Sequence, residues 1–158
     1  MIRFSLPLAL LLPLSGAPAV AASVQVVDGD TLRIDGVRTR LWGFDAPERA
    51  QLCTINGIDR AIGQEAGEGL AAILASGELR CRAHGHDQHG RPVMECWAGA
   101  VSIGDAMVRL GWAWAEPEFS GTRYLPAQRE AERARRGVWA GHANCETPAR
   151  FRQEHRHQ

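Results

Sequence analysis

Lysine is missing from this 158-residue chain: all 18 basic side chains are arginine, and 18 carboxylates balance them to a formal net charge of zero. A neutral chain is not retained on nucleic acid by bulk positive charge alone. No C-x-x-C pair occurs among the four cysteines, which removes the spacing that zinc knuckles and thioredoxin-like motifs depend on. Internal repeats and low-complexity linkers are missing too. Four cysteines are too few for a disulfide-dense mini-protein, and 45% hydrophobic with 23% charged residues excludes a disordered or collagenous chain. What remains is one globular domain, an enzyme or a binding module.

Residues 1–22 read as a secretory signal peptide. Met1-Ile2-Arg3 carries one positive charge, and Leu6 to Leu14 is leucine-rich but broken by Pro7 and Pro13. Ala19-Val20-Ala21 then offers small residues for cleavage near Ala21 or Ala22. The apolar run falls well short of the ~20 residues of a membrane span, so no membrane insertion is expected. A periplasmic or secreted address follows. In that oxidising setting the even set Cys53, Cys81, Cys96 and Cys145 reads as two disulfides, with free thiols as the weaker alternative. Cys81 and Cys96 lie on strand-like runs, Leu79 to His84 and Arg91 to Trp97, which a hairpin sets opposite each other. Cys53 then pairs with Cys145 by elimination.

The rest divides by charge. From Val24 to Thr122 there are 9 arginines against 14 carboxylates, and from Arg123 onward 8 against 4. The domain is expected over 23–145, followed by a basic, flexible tail over 146–158. Within the domain, Val24 to Val27 and Thr31 to Ile34 are short β-branched runs. Asp35-Gly36 is a two-residue hairpin turn, and Val37 to Phe44 the return strand. Ala46 to Gly63 reads as a loop. Apolar residues at helical spacing predict helices from Ile62 towards Gly77, from Ile103 to Gly111 and from Ala127 to Gly137. Five short strands with helices between and after them predict an α+β fold, a small barrel with three helices.

Chemistry-bearing residues crowd between Asp28 and Glu48. The Asp35-Gly36 turn sets Thr31 opposite Arg40, so Asp30 and Arg40 meet at one end of the ribbon only if a bulge near Gly29 overrides strict alternation. Asp30, Asp45 and Glu48 suit a hard divalent cation, which prefers oxygen donors. An arginine beside them suits an anionic substrate such as a phosphate. The plainer alternative has Asp28 and Asp30 capping turns, with Asp45 and Glu48 as ordinary loop acids. His84-x-His86-x-x-His89, with Cys81 and Cys96 nearby, is a rival zinc or copper site.

Val27-Asp28-Gly29-Asp30-Thr31-Leu32 is followed by Arg40-x-x-x-x-Asp45-x-Pro47-Glu48, then His89-Gly90-Arg91, then Met107 to Ala113, then Tyr124 and Glu130 to Trp139. This ordered set, covering about Val24 to Trp139, resembles the staphylococcal nuclease (thermonuclease) family. The resemblance implies a five-stranded OB-fold β-barrel with three α-helices. It also implies a calcium-dependent nuclease that hydrolyses DNA and RNA to 3′-phosphate fragments. Asp30 and Asp45 would be the carboxylate ligands of one calcium ion, and Ala46, where the family has threonine, would lend its backbone carbonyl. Glu48 would activate the water, while Arg40 and Arg91 would hold the phosphate. The implied protein is a monomer acting on single-stranded or locally unpaired DNA or RNA. Two features depart from the prototype. Gln88 and His89 stand where it has a lysine and a tyrosine, and Glu116-Pro117 where it has a nucleotide-supporting tyrosine. Base stacking then falls to Trp114, Phe119 or Tyr124. The alternative function is a catalytically silent OB-fold nucleic-acid-binding module of the cell envelope, although such a module would be expected to lose the carboxylates or arginines kept here.

Overall fold

The computed structural model describes residues 23–155; the signal-peptide reading of 1–22 lies outside the described residues. In chain order the elements are β1 (Val24–Asp28), β2 (Thr31–Ile34), β3 (Val37–Leu41), β4 (Phe44–Asp45), β5 (Cys53–Ile55), β6 (Ile58–Arg60) and α1 (Ile62–Leu74). Then come β7 (Leu79–His86), β8 (Pro92–Ala98), β9 (Val101–Ser102), α2 (Ile103–Arg109), β10 (Trp114–Ala115), α3 (Pro117–Ser120) and α4 (Leu125–Arg133). A 3-10 turn at Gly137–Trp139, β11 (Ala143–Asn144) and α5 (Pro148–Glu154) complete the described residues.

The main sheet runs β1-β2-β3-β8-β7, with β9 added to β8. Its first register is set locally: Asp35 and Gly36 both take positive φ, 47° and 84°, the two-residue turn whose twist matches antiparallel strands. Ile34 therefore faces Val37 and Thr31 faces Arg40, as expected. β3 and β8 are parallel, with Arg40 opposite Val93, and this pairing joins the first ribbon to the β7–β8 hairpin. In that hairpin Cys81 lies directly opposite Cys96, and both anticipated disulfides, Cys81–Cys96 and Cys53–Cys145, are present. The sheet curls into an OB-like half-barrel over one core. Leu32, Leu41 and Phe44 meet Ala66, Leu70 and Ile73 of α1, Ile103, Met107 and Val108 of α2, and Ala127 of α4. Removing this apolar area from water is the main favourable term.

Three stretches differ from expectation. The loop expected over Ala46 to Gly63 holds the β5–β6 hairpin, closed by Asn56-Gly57, with β11 added to β5. The described residues contain five α-helices instead of three; α3 is a single turn opened by Pro117. The stretch expected to be a flexible tail carries α5, whose Thr147 caps the Arg150 N–H at 3.4 Å.

α1 starts without a side-chain cap and instead butts against the loop that carries Glu48. A Cβ on Gly63 would stand 1.8 Å from the Glu48 carbonyl oxygen, whereas one on Gly67 would meet only Val26 Cγ1 at 3.9 Å. Alanine is the better helix former by about 1 kcal/mol, so the two positions separate propensity from packing. Gly67→Ala is expected to gain about 0.5–1 kcal/mol. Gly63→Ala should instead lose about 1–3 kcal/mol. Urea unfolding of both variants checks the opposite signs.

Candidate active site

Asp30 follows the first strand in a turn, and the β1–β2 register slips between Val26 and Asp28. This irregularity releases Asp30 from strand alternation. Its main chain stays paired, the carbonyl accepting from Leu41 N–H at 2.8 Å, while its carboxylate turns towards Arg40. Arg40 Nη1 lies 2.9 Å from Asp30 Oδ2, and Arg40 Nη2 donates to Asp45 Oδ1 at 3.0 Å. One guanidinium thus bridges the two carboxylates, and reaches Glu116 Oε2 at 3.4 Å. Asp45 is fixed by β4, which pairs with β10 so that Trp114 faces it.

Asp30 is only 5% exposed. Thr31 Oγ1 donates to its Oδ1 at 2.9 Å, and the Ala46 N–H to its Oδ2 at 3.4 Å. Burial is the largest influence on its carboxyl and pushes it up to about 8; Arg40 pulls it down, and Asp28 and Asp45 push it further up. For Arg40 burial works against the charge, but Asp30 and Asp45 outweigh it and hold the guanidinium firmly protonated. Burial, then Asp45, raises the Glu116 carboxyl against the pull of Arg40. Acidic charge is therefore concentrated in a poorly hydrated place.

Glu48 stands at the rim. Its N–H donates to Gln51 Oε1 at 3.1 Å, and its Oε1 accepts from Arg152 Nη1 at 2.7 Å. Arg91 lines the same cleft from the β7–β8 side, but its Nε donates to Asp87 Oδ2 at 2.7 Å. Against slight burial, hydrogen bonds from Arg91 and His89 hold the Asp87 carboxyl below its ordinary value. Asp30, Arg40 and Asp45 therefore touch, with Ala46 beside Asp30. Glu48 joins them through Arg152, and Arg91 faces them across the cleft. The cleft is open, about 1560 Å³, and its lining includes Arg38, Arg40, Arg49, Arg91 and Arg152.

The histidine motif has other partners. His84 stacks on Trp42 at 4.1 Å between centroids and approaches Glu95 Oε2 at 3.3 Å, and His89 lies beside Gln88. Cys81 and Cys96 are consumed by their disulfide. Among the described residues no three His, Cys, Asp or Glu side chains converge as metal ligands, and the partners of His84, Cys81 and Cys96 lend the zinc or copper reading no support. Asp30 and Asp45 form an all-oxygen pair, and a hard cation there would complete its shell with backbone carbonyl and water oxygens.

Of the three aromatics expected to stack on a base, Tyr124 is buried edge-on between Trp42 and Phe44. Trp114 packs against Trp139 at 5.8 Å. Phe119, 60% exposed, is the one of them on the cleft wall. Two participants escaped sequence reasoning. Glu116 stands out in the sequence only as the residue in place of a nucleotide-supporting tyrosine. Arg152 was signalled by nothing beyond the basic balance of the tail, yet it donates to both oxygens of Asp45 at 3.0 and 2.9 Å.

A family model described as "Staphylococcal nuclease homologue" matches residues 38–141. The chain is similar to "Succinoglycan biosynthesis protein ExoI" of Rhizobium meliloti, 33% identical over 126 residues, covering 78% of this chain and 66% of that one. An "Uncharacterized endonuclease" of Haemophilus influenzae is 29% identical over 137 residues, 83% and 71% of the two chains. A "Probable staphylococcal-like nuclease CAN3" of Oryza sativa subsp. japonica is 30% identical over 125 residues, covering 75% of this chain but 29% of that one.

Proposed function

The chain belongs to the staphylococcal nuclease family, and on that footing we propose that it is a calcium-dependent phosphodiesterase that cleaves DNA and RNA. The observation that carries this reading is the Arg40 guanidinium held between Asp30 and Asp45, with Glu48 at the rim of one open cleft. Metal-ligating carboxylates, a phosphate-binding guanidinium and a carboxylate base are what hydrolysis of an anionic ester requires.

In this reading Asp30, Asp45 and the Ala46 carbonyl would hold the cation. When bound, calcium offsets the negative charge that makes a phosphodiester resist attack. Arg40 and, across the cleft, Arg91 donate to the phosphoryl oxygens; a planar guanidinium suits two oxygens at once. Glu48 takes the proton of the attacking water. The water oxygen bonds to phosphorus, the bond to the 5′ oxygen breaks with that oxygen taking a proton from solvent water, and the products are a 3′-phosphate and a 5′-hydroxyl. The arginine-lined cleft suits a single-stranded or locally unpaired polynucleotide, and the protein acts as a monomer.

The two disulfides fit an oxidising compartment. Among the described residues no helix is long and apolar enough to cross a membrane. We assign the protein a periplasmic or secreted location, reached through the leader at residues 1–22.

The test is the chain from residue 23 onward, incubated with plasmid DNA or with RNA, in calcium or in EDTA. Digestion in calcium alone, giving 3′-phosphate ends, is the expected result. Retardation in a gel without cleavage would replace this reading with that of a silent binding module.

A further inference from the structure

α5 lies outside the family-matched residues 38–141, yet it forms one wall of the cleft through Phe151, Arg152 and His155. Three tethers hold the segment that leads into it. β11 pairs with β5, Cys145 is bonded to Cys53, and the buried Gln51 donates from Nε2 to the Glu146 carbonyl at 2.7 Å. The other end of the Gln51 amide receives the Glu48 N–H, so one side chain ties the loop of Glu48 to the approach of α5.

Arg152 is placed as Arg40 is. Both guanidinium groups donate to the same oxygen, Asp45 Oδ1, each at 3.0 Å. Arg40 comes from the sheet side and is 18% exposed; Arg152 comes from the rim and is 37% exposed, reaching Glu48 as well. Next to it the Phe151 and His155 rings stack at 4.1 Å and 24°, a flat aromatic pair of the kind on which bases stack. At about 1560 Å³ the cleft exceeds the roughly 300–1,000 Å³ of a small-molecule pocket and has room for nucleotides on either side of the bond cut.

We propose that α5 is a substrate subsite: Arg152 holds the phosphate next to the one being cleaved, and the Phe151–His155 pair stacks on the adjoining base. This inference rests on the nuclease reading and adds to it a length requirement, since a substrate with one phosphodiester has no neighbouring phosphate for Arg152 to hold.

The test compares an octadeoxythymidylate with a dinucleoside monophosphate, using the wild-type chain, Arg152→Ala and Arg152→Gln. Both variants are expected to raise KM for the octamer about tenfold relative to KM for the dinucleoside; loss of the contacts to Asp45 and Glu48 bears on both substrates alike and cancels in that ratio. Binding of the labelled octamer in EDTA, where nothing is cut, supplies a second readout. The slope of log affinity against log salt should shrink by about 0.7, one phosphate contact on a single strand. Unchanged octamer KM and salt slope would overturn the proposal. So would faster cleavage of both substrates with tighter octamer binding, which would make Arg152 a plug. If the wild-type chain cuts neither substrate in calcium, the nuclease reading fails, and the salt slope still decides whether Arg152 binds phosphate. Arg152 sits on a seven-residue helix near the chain end, and a thermal melt of each variant confirms that the domain is folded.

Discussion

Replacing Glu48 by glutamine is expected to lower calcium-supported turnover about 10²- to 10⁴-fold, the range lost when a positioned general base is removed. The substitution keeps shape and removes the proton acceptor. The loop does not depend on the carboxylate for its position: the Glu48 N–H is held by Gln51 and its carbonyl is pressed against Gly63 of α1. The side chain is about one-third exposed, and its contact is the ion pair with Arg152, which at such exposure contributes ~0–1 kcal/mol. A glutamine amide oxygen can still accept that hydrogen bond. The melting temperature should therefore move by only a few degrees while kcat collapses and KM stays near its original value. A folded Glu48→Gln protein with near-wild-type kcat would remove Glu48 from the mechanism.

The largest effect on stability should come from Cys53→Ser with Cys145→Ser. That bridge closes a loop with a sequence separation of 92, whereas Cys81–Cys96 closes one of 15. In the chain-entropy account the longer loop stabilises by about 4–5 kcal/mol and the shorter by about 3. Either loss is large against a whole-domain stability of ~5–15 kcal/mol. Denaturant midpoints of the two double-serine variants give the comparison. Equal losses, or a larger loss from the short loop, would show that restriction of the unfolded chain is not what these bridges chiefly do. Opening Cys53–Cys145 also loosens the approach to α5, so the first variant should raise octamer KM as Arg152→Ala does, and the second should not.

Sequence spoke most clearly where geometry is local. Asp35-Gly36 sets a register by itself, which is why Thr31 opposite Arg40 was legible, and the polar turn between two strand-like runs did the same for Cys81 opposite Cys96. The same logic was available at Asn56-Gly57, but its flanking strands have three residues each, too few for alternation to declare itself. Asp30 was the instructive case. Its contact with Arg40 needed an irregularity that pattern alone does not supply, and a slip before Asp28 provides it. Two members of the site, Arg152 and Glu116, were invisible for a physical reason. Arg152 meets Asp45 across 107 positions and Glu116 meets Arg40 across 76; such ion pairs leave no periodicity behind. α5 is short, polar and held by charge and a disulfide tether, so it has no apolar stripe to betray it.

The parallel pairing of β3 with β8 has a kinetic consequence. The ribbons on either side of it, β1–β2–β3 and β7–β8, close over short stretches of chain and are expected to form first. Arg40 beside Val93 closes a loop of about fifty residues, and its entropy must be lost before any contact repays it. That pairing also brings the strand of Arg91 alongside the strand of Arg40. The two guanidinium groups proposed to share one phosphate are thus brought together by the longest-range pairing of the main sheet.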